Sequence, residues 1–386
     1  MSEEQLSEEQ LNEAFNRRVY LSLPVIDIKV ENKWPNMNTT HVWCVCSLNS
    51  THFVSGSSDY TLKLWNVDST AVRTYSGHTD SVRAVCALNA TQFVSGSSDY
   101  TLKLWNVEKP TAVMTYSGHT SSVRAVCALN ATQFVSGSSD NTLKLWKAAT
   151  GECERTYEGH TDWVRAVCAL NATQFVSGSN DKTLKLWNVG EEDAVMTYSG
   201  HTESVRAVCA VPKTEPLQPL QFVSGSSDKT LKLWNVGEED AVMTFSGHTG
   251  PMTAVCMLND TKQFVSGSND KTLKLWNIEV GDEVEGGGIE RAEVEVRNIV
   301  SNNETGSDPM SLAVIDGTRF VSAGGGWLQV WKLLRKKDMT SEAEPGEGTT
   351  VVRGGKRRNR KSKKLNKRSV KKKFRKTRRK SRKSRK

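Results

Sequence analysis

Residues 77–107 read GHTDSVRAVCALNATQFVSGSSDYTLKLWNV, and the stretch recurs with few changes along most of the 386-residue chain. Its copies close on Trp65, Trp105, Trp146, Trp187, Trp234, Trp276 and Trp331, at spacings of 40, 41, 41, 47, 42 and 55 residues. A period near 40 that repeats seven times is the mark of a repeat architecture. Within one copy the apolar runs Ser81 to Leu88, Phe93 to Ser95, Leu102 to Val107 and Ala112 to Tyr116 predict four strands. The turn residues Asn89-Ala90-Thr91, Gly96-Ser97-Ser98-Asp99 and Ser117-Gly118 separate them. A four-stranded sheet cannot cover both of its faces alone. Each must pack on its neighbours, and a ring of seven closes the array. The expected fold is all-β, a seven-bladed β-propeller.

Each full copy opens on a Gly-His pair and carries an Asp six residues before its closing Trp. In these features the chain resembles the WD-repeat family, with five copies complete and two partial. The resemblance implies a structural group of His, Ser, Asp and Trp in each full copy. These groups are His78, Ser95, Asp99 and Trp105; His119, Ser136, Asp140 and Trp146; His160, Ser177, Asp181 and Trp187; His201, Ser224, Asp228 and Trp234; and His248, Ser266, Asp270 and Trp276. Copy one keeps Ser55, Asp59 and Trp65 with Asn38 at the His position. Copy seven keeps Ser322 and Trp331, with Gly325 at the Asp position and Thr305 near the His position. The repeats fall at about 37–67, 77–107, 118–148, 159–189, 200–236, 247–278 and 305–332, within a ring over 18–333. Residues 19–30 are apolar enough to supply the outer strand of the last blade, as the family resemblance implies, and Ile289 to Ile299 that of blade six.

Charge is unevenly placed along the chain. Residues 353–386 hold 22 of the 52 Lys and Arg and no Asp or Glu, which leaves the preceding 352 residues with 30 basic against 43 acidic groups. The expected organisation is an acidic, disordered segment over 1–17, the ring, a flexible linker over 334–352 and a disordered basic tail over 353–386. In the tail, Lys356, Arg357, Arg358, Arg360, Lys361, Lys363, Lys364, Lys367, Arg368, Lys371, Lys372, Lys373, Arg375 and Lys376 form a polycation. Such a block concentrates near polyanions, so the tail is read as a nuclear or nucleolar targeting signal, an RNA or DNA contact, or both. Cytoplasmic residence is the alternative. No apolar face or acylation motif accompanies the charge, and no membrane partner is expected.

The eight cysteines do not form a disulfide or zinc pattern. Cys46, Cys86, Cys127, Cys168, Cys209 and Cys256 share one repeat position and are expected to be small buried core residues. No cofactor or metal is implied. Ser, His and Asp in each copy invite a hydrolase reading, but a nucleophilic triad is a unique site at a cleft, whereas here the constellation occurs five times. By the family resemblance, the partner-binding face is lined by His41, Trp43, Arg83, Arg124, Trp163, Arg165, Arg206, Thr253 and Met310. Two readings of the four arginines stand. They form a guanidinium arc for an acidic or phosphorylated partner segment, or they are one residue copied by duplication and lying along its neighbour. The expected function is a non-catalytic protein-interaction scaffold, monomeric or within a larger complex. The alternative is an RNA- or DNA-binding protein whose activity lies in the tail and is regulated by the ring.

Overall fold

A computed structural model of the chain describes residues 25–34, 40–68, 71–213, 218–258, 262–278, 297–298 and 308–335. The chain divides into two units, Met1–Ala343 and Glu344–Lys386, and all described residues belong to the first. The segments at 1–17 and 353–386 lie outside the described residues, as do residues 336–352 of the linker.

Seven four-stranded antiparallel sheets make up the described residues. In six of them strand order follows chain order, as in Val82–Ala87, Gln92–Ser97, Leu102–Asn106 and Met114–Tyr116. The innermost strand of each sheet packs on those of both neighbours, and Val42–Ser47 of the first meets Pro309–Asp316 of the last. The sheets are thus the blades of a closed ring.

Alternation along the third strand shows how one short sequence serves two interfaces. Leu102 and Leu104 pack with Tyr116, Val123, Phe134 and Trp146 toward the next blade. Trp105 points the other way, into Val54, Leu62, Leu64 and Tyr75 of the preceding blade. Because both faces are covered, the strands carry apolar side chains on both. The Ser-Gly-Ser segment of the second strand has a packing reason. A Cβ on Gly96 would lie 2.6 Å from Val123 Cγ1, and one on Gly137 2.6 Å from Val164 Cγ1. Only glycine lets the next blade's inner strand approach so closely.

Ring closure is made by Val25–Trp34, which pairs antiparallel with Trp327–Arg335 as the outer strand of blade seven. This strand lies several residues later than the expected 19–30. Arg319 fastens the junction, donating to Asp316 and to the Ser50 carbonyl of blade one, both at 2.8 Å, with Glu31 of the closing strand at 3.9 Å. In blade six the outer strand is described only at Arg297–Asn298, against Lys274 and Leu275, not over the whole of 289–299. The fourth strand of blade two starts at Met114 and not Ala112, although the Val113 N–H still donates to the Leu104 carbonyl at 2.7 Å.

The repeated cysteines are a correction. They are half-buried, not deep in a core, and they staple blade to blade along the inner strands. Cys86 Sγ accepts the Ala128 N–H of the next blade at 3.0 Å, and Cys127 and Cys168 accept those of Ala169 and Ala210 at 3.2 Å. An innermost strand has one edge with no strand beside it, so its N–H groups need acceptors from elsewhere. Neighbouring sulfurs supply them. Burial pushes the thiols of Cys46 and Cys209 up to about 11. Cys127→Ala is therefore expected to cost about 1 kcal/mol, since it leaves the Ala169 N–H unpaired, while Cys127→Ser retains an acceptor and loses less. Urea unfolding of the two variants checks this; equal losses would assign the effect to packing volume alone.

Candidate functional site

The His, Ser, Asp and Trp groups assemble in all five full blades. In blade two the Trp105 indole N–H donates to Ser95 Oγ at 2.8 Å, Ser95 Oγ lies 2.7 Å from His78 Nε2, and His78 Nδ1 lies 2.7 Å from Asp99. An indole can only donate, so the serine oxygen accepts there and its single proton goes to Nε2. That assigns the other imidazole proton to Nδ1, facing the carboxylate, and the network is complete with a neutral histidine. Asp99 also accepts from the Thr79 N–H at 3.0 Å and from the Thr101 N–H and hydroxyl at 2.9 and 2.7 Å. Burial pushes the carboxyl up, but these bonds outweigh it and hold Asp99 well below the usual carboxylate range. Asp140, Asp181 and Asp228 are held down in the same way.

This order of bonds is that of a hydrolytic triad, yet its setting is structural. Ser95, Ser136, Ser177, Ser224 and Ser266 are fully buried at 0% exposure, and each oxygen carries an indole N–H where a substrate would have to sit. The partial blades keep the inner half, with Trp65 donating to Ser55 at 2.9 Å and Trp331 to Ser322 at 2.7 Å. Asn38 and Thr305 lie outside the described residues. In blade seven the turn shortens to Gly325-Gly326 between paired Gly324 and Trp327, with Gly326 at φ 81°. That turn needs no aspartate to hold it.

Trp43, Arg83, Arg124, Arg165, Arg206, Thr253 and Met310 converge on one cavity of ≈ 300 Å³. Each is the second residue of an innermost strand, so the cavity sits where the seven strand ends meet, on the face that carries the Gly-His turns. The arginines are half-buried rather than laid out on an exposed rim. Their orientation is fixed twice. Each Nε donates to the residue before the turn aspartate of its own blade: Arg83 to Ser98 at 3.0 Å, Arg206 to Ser227 at 2.6 Å, and likewise Arg124 to Ser139 and Arg165 to Asn180. Arg83 also stacks on Trp43 at 4.2 Å, while Arg124 and Arg165 share Trp163 at 4.3 and 5.2 Å. His41 stacks on Trp43 at 5.4 Å. No carboxylate lies within ion-pair distance of the four guanidiniums among the described residues. Burial and then the Arg124 and Arg206 charges push Arg165 down to about 10. Burial and the charge of Arg83 lower Arg124 too.

At the turns between the second and third strands the structure adds exposed residues that the sequence did not single out. Tyr60 and Tyr100 are 46% and 49% exposed at the tips of the turns in blades one and two, where φ is 70° and 72°. Bulky side chains rarely occupy that left-handed region. The equivalent positions hold Asn141, Lys182, Lys229 and Lys271. Comparing the copies for aromatic substitutions at the turn would have found both tyrosines. The tail residues Lys356 to Lys376 lie outside the described residues. Among the described residues no three His, Cys, Asp or Glu are placed to hold a metal ion, and no helix is long and apolar enough to cross a membrane.

The family model described as WD domain, G-beta repeat matches residues 35–66, 69–106, 110–147, 151–188, 192–235 and 239–277. Blade seven, with its two-residue glycine turn, falls outside those matches. No curated protein matches the chain. With six repeats covering more than half of its length and a closed ring of seven blades, the chain belongs to the WD-repeat family.

Proposed function

We propose that the ring is a non-catalytic scaffold that docks an acidic segment of a partner protein at the arginine mouth. A WD-repeat propeller fits a protein-interaction scaffold in general. What supports this particular surface is four guanidiniums from consecutive blades, aligned by side-chain bonds and by indoles, with no carboxylate pairing them among the described residues. Trp43 and Trp163, stacked on the arginines, provide the aromatic anchors that protein interfaces favour.

The basic tail is proposed to direct the protein to the nucleus or nucleolus and to contact RNA or DNA there, on the strength of 22 Lys and Arg among its last 34 residues. Replacing Arg83, Arg124, Arg165 and Arg206 together by Ser, in tagged full-length protein, is expected to remove the acidic partner from affinity purifications. Deleting residues 353–386 should leave that partner bound and abolish nucleic-acid recovery. Unchanged recovery with the quadruple variant would return the arginines to copied strand residues. Loss of every protein partner on deletion of the tail would favour the alternative in which the tail carries the activity.

A further inference from the structure

The two halves of the mouth differ in chemistry. Blades two to five contribute the four arginines, whose Nε atoms are committed to their own blades and whose Nη atoms have no acceptor among the described residues. Blades six, seven and one contribute Thr253, Met310 and Trp43. The Thr253 hydroxyl proton is committed to the Pro309 carbonyl, so that side brings little free polarity. The Trp43 indole N–H, which has no acceptor among the described residues, is shielded from solvent and so adds no polarity to the cavity surface.

From this asymmetry we infer that the mouth takes a phosphate monoester carried on an apolar group. Its phosphate lies against the Arg124 and Arg165 side, and its organic part against Trp43 and Met310. The inference rests on reading the mouth as a docking site, and it names the anion. A carboxylate brings one negative charge and two coplanar oxygens, which one guanidinium satisfies while the others still repel each other. A phosphate monoester brings about −1.5 to −2 and three acceptor oxygens in a tetrahedral array. That array meets guanidiniums arriving from several blades at once. The same chemistry has two sources, a phosphorylated side chain of a partner or a free phosphate ester.

Calorimetric titration of the full-length protein with phenyl phosphate, phenylacetate and inorganic phosphate at matched ionic strength tests the inference. The basic tail is present in every variant, so differences between variants report the mouth alone. Phenyl phosphate is expected to bind at least about tenfold more tightly than phenylacetate or inorganic phosphate, and to quench indole fluorescence on binding. Arg165→Gln should lose roughly tenfold, and Arg165→Lys nearly as much, because an ammonium keeps the charge without the planar fork. Arg165→Gln relieves repulsion among the arginines and should melt no lower than the parent, whereas Arg165→Lys keeps the charge and should melt close to it. Displacement of phenyl phosphate by a phosphoserine peptide with uncharged flanks would assign the phosphate to a partner protein; displacement by inositol hexakisphosphate alone would assign it to a free ester. Phenylacetate binding as tightly as phenyl phosphate, undiminished binding to Arg165→Gln, or displacement by neither competitor would overturn the inference. An acidic partner lost with the four-arginine variant would still stand in that case, since carboxylates could fill the mouth.

Discussion

Asp181→Ala is expected to lower the unfolding free energy of the ring by about 3 kcal/mol, among the largest effects of any single side chain in the molecule. The carboxylate accepts from His160 Nδ1 at 2.6 Å, from the Thr161 N–H at 3.1 Å, and from the Thr183 N–H and hydroxyl at 2.9 and 2.7 Å. Alanine leaves these donors without an acceptor, and His160 lies in a chain that continues through Ser177 to Trp187 in the core. Simple addition of four hydrogen bonds would overshoot, because water can reach the two threonine residues at the turn. The turn also presents Asn180, which anchors Arg165 Nε, so the variant should weaken the mouth as well as the fold. Denaturant unfolding measures the first effect, and partner recovery at a temperature where the variant is still folded measures the second. An unfolding midpoint matching the parent would show that Asp181 is dispensable. Asp99→Ala in blade two serves as a replicate, since its bonds are the same within 0.1 Å.

The ring was legible in the sequence because its period is written in residues that each do one physical job. Trp105 and its equivalents fill the interface to the preceding blade, Gly96 admits the following one, and Asp99 with His78 fixes the turn to the sheet. A local pattern that repeats at fixed spacing specifies a local geometry, and stacking does the rest. The inner-strand positions of the mouth were legible for the same reason: a residue at one repeat position lands at one radius in every blade.

What could not be read is the side-chain detail and register that depend on two blades or on both chain ends. The sharing of Trp163 by Arg124 and Arg165 requires knowing how far a long side chain reaches across a blade boundary. The cysteine staples depend on one blade's sulfur meeting the next blade's N–H, which no spacing within a repeat encodes. Arg319 ties together Asp316, Ser50 and Glu31, which come from blade seven, blade one and the closing strand. The closing strand itself was placed early because apolar content marks 19–30 as readily as 25–34, and only pairing with Trp327–Arg335 sets the register.

Acidification is expected to unfold the ring in one steep transition once the pH falls below the ordinary carboxylate range, with a shallower loss beginning earlier. Five buried networks titrate on the same signal. Despite the opposing effect of burial, hydrogen bonds from His78, His119, His160 and His201 and the adjoining threonines hold Asp99, Asp140, Asp181 and Asp228 well below their usual values, and Asp270 is lowered as well. For a carboxyl whose folded value is depressed, the stabilisation is fully present above the unfolded value, near 4, and is lost as the pH falls through the folded one. The unfolded chain binds protons first, so five such groups steepen the slope together. His248 acts earlier. Burial lowers its value below the ordinary one near 6.5, against the pull of Asp270, so its neutral form is favoured by folding. Its stabilisation is complete above that pH and declines below it. Urea unfolding measured from pH 8 to pH 3 should therefore show a gentle decline below about 6.5 and a steep one below about 4. Asp181→Asn keeps the size of the side chain and some of its bonds but has no proton to gain. It should be less stable than the parent at pH 7 and should close part of that gap by pH 3. A stability flat between pH 5 and pH 3, or a parallel decline in Asp181→Asn, would mean that the aspartates of the five networks do not govern the acid limit of the fold.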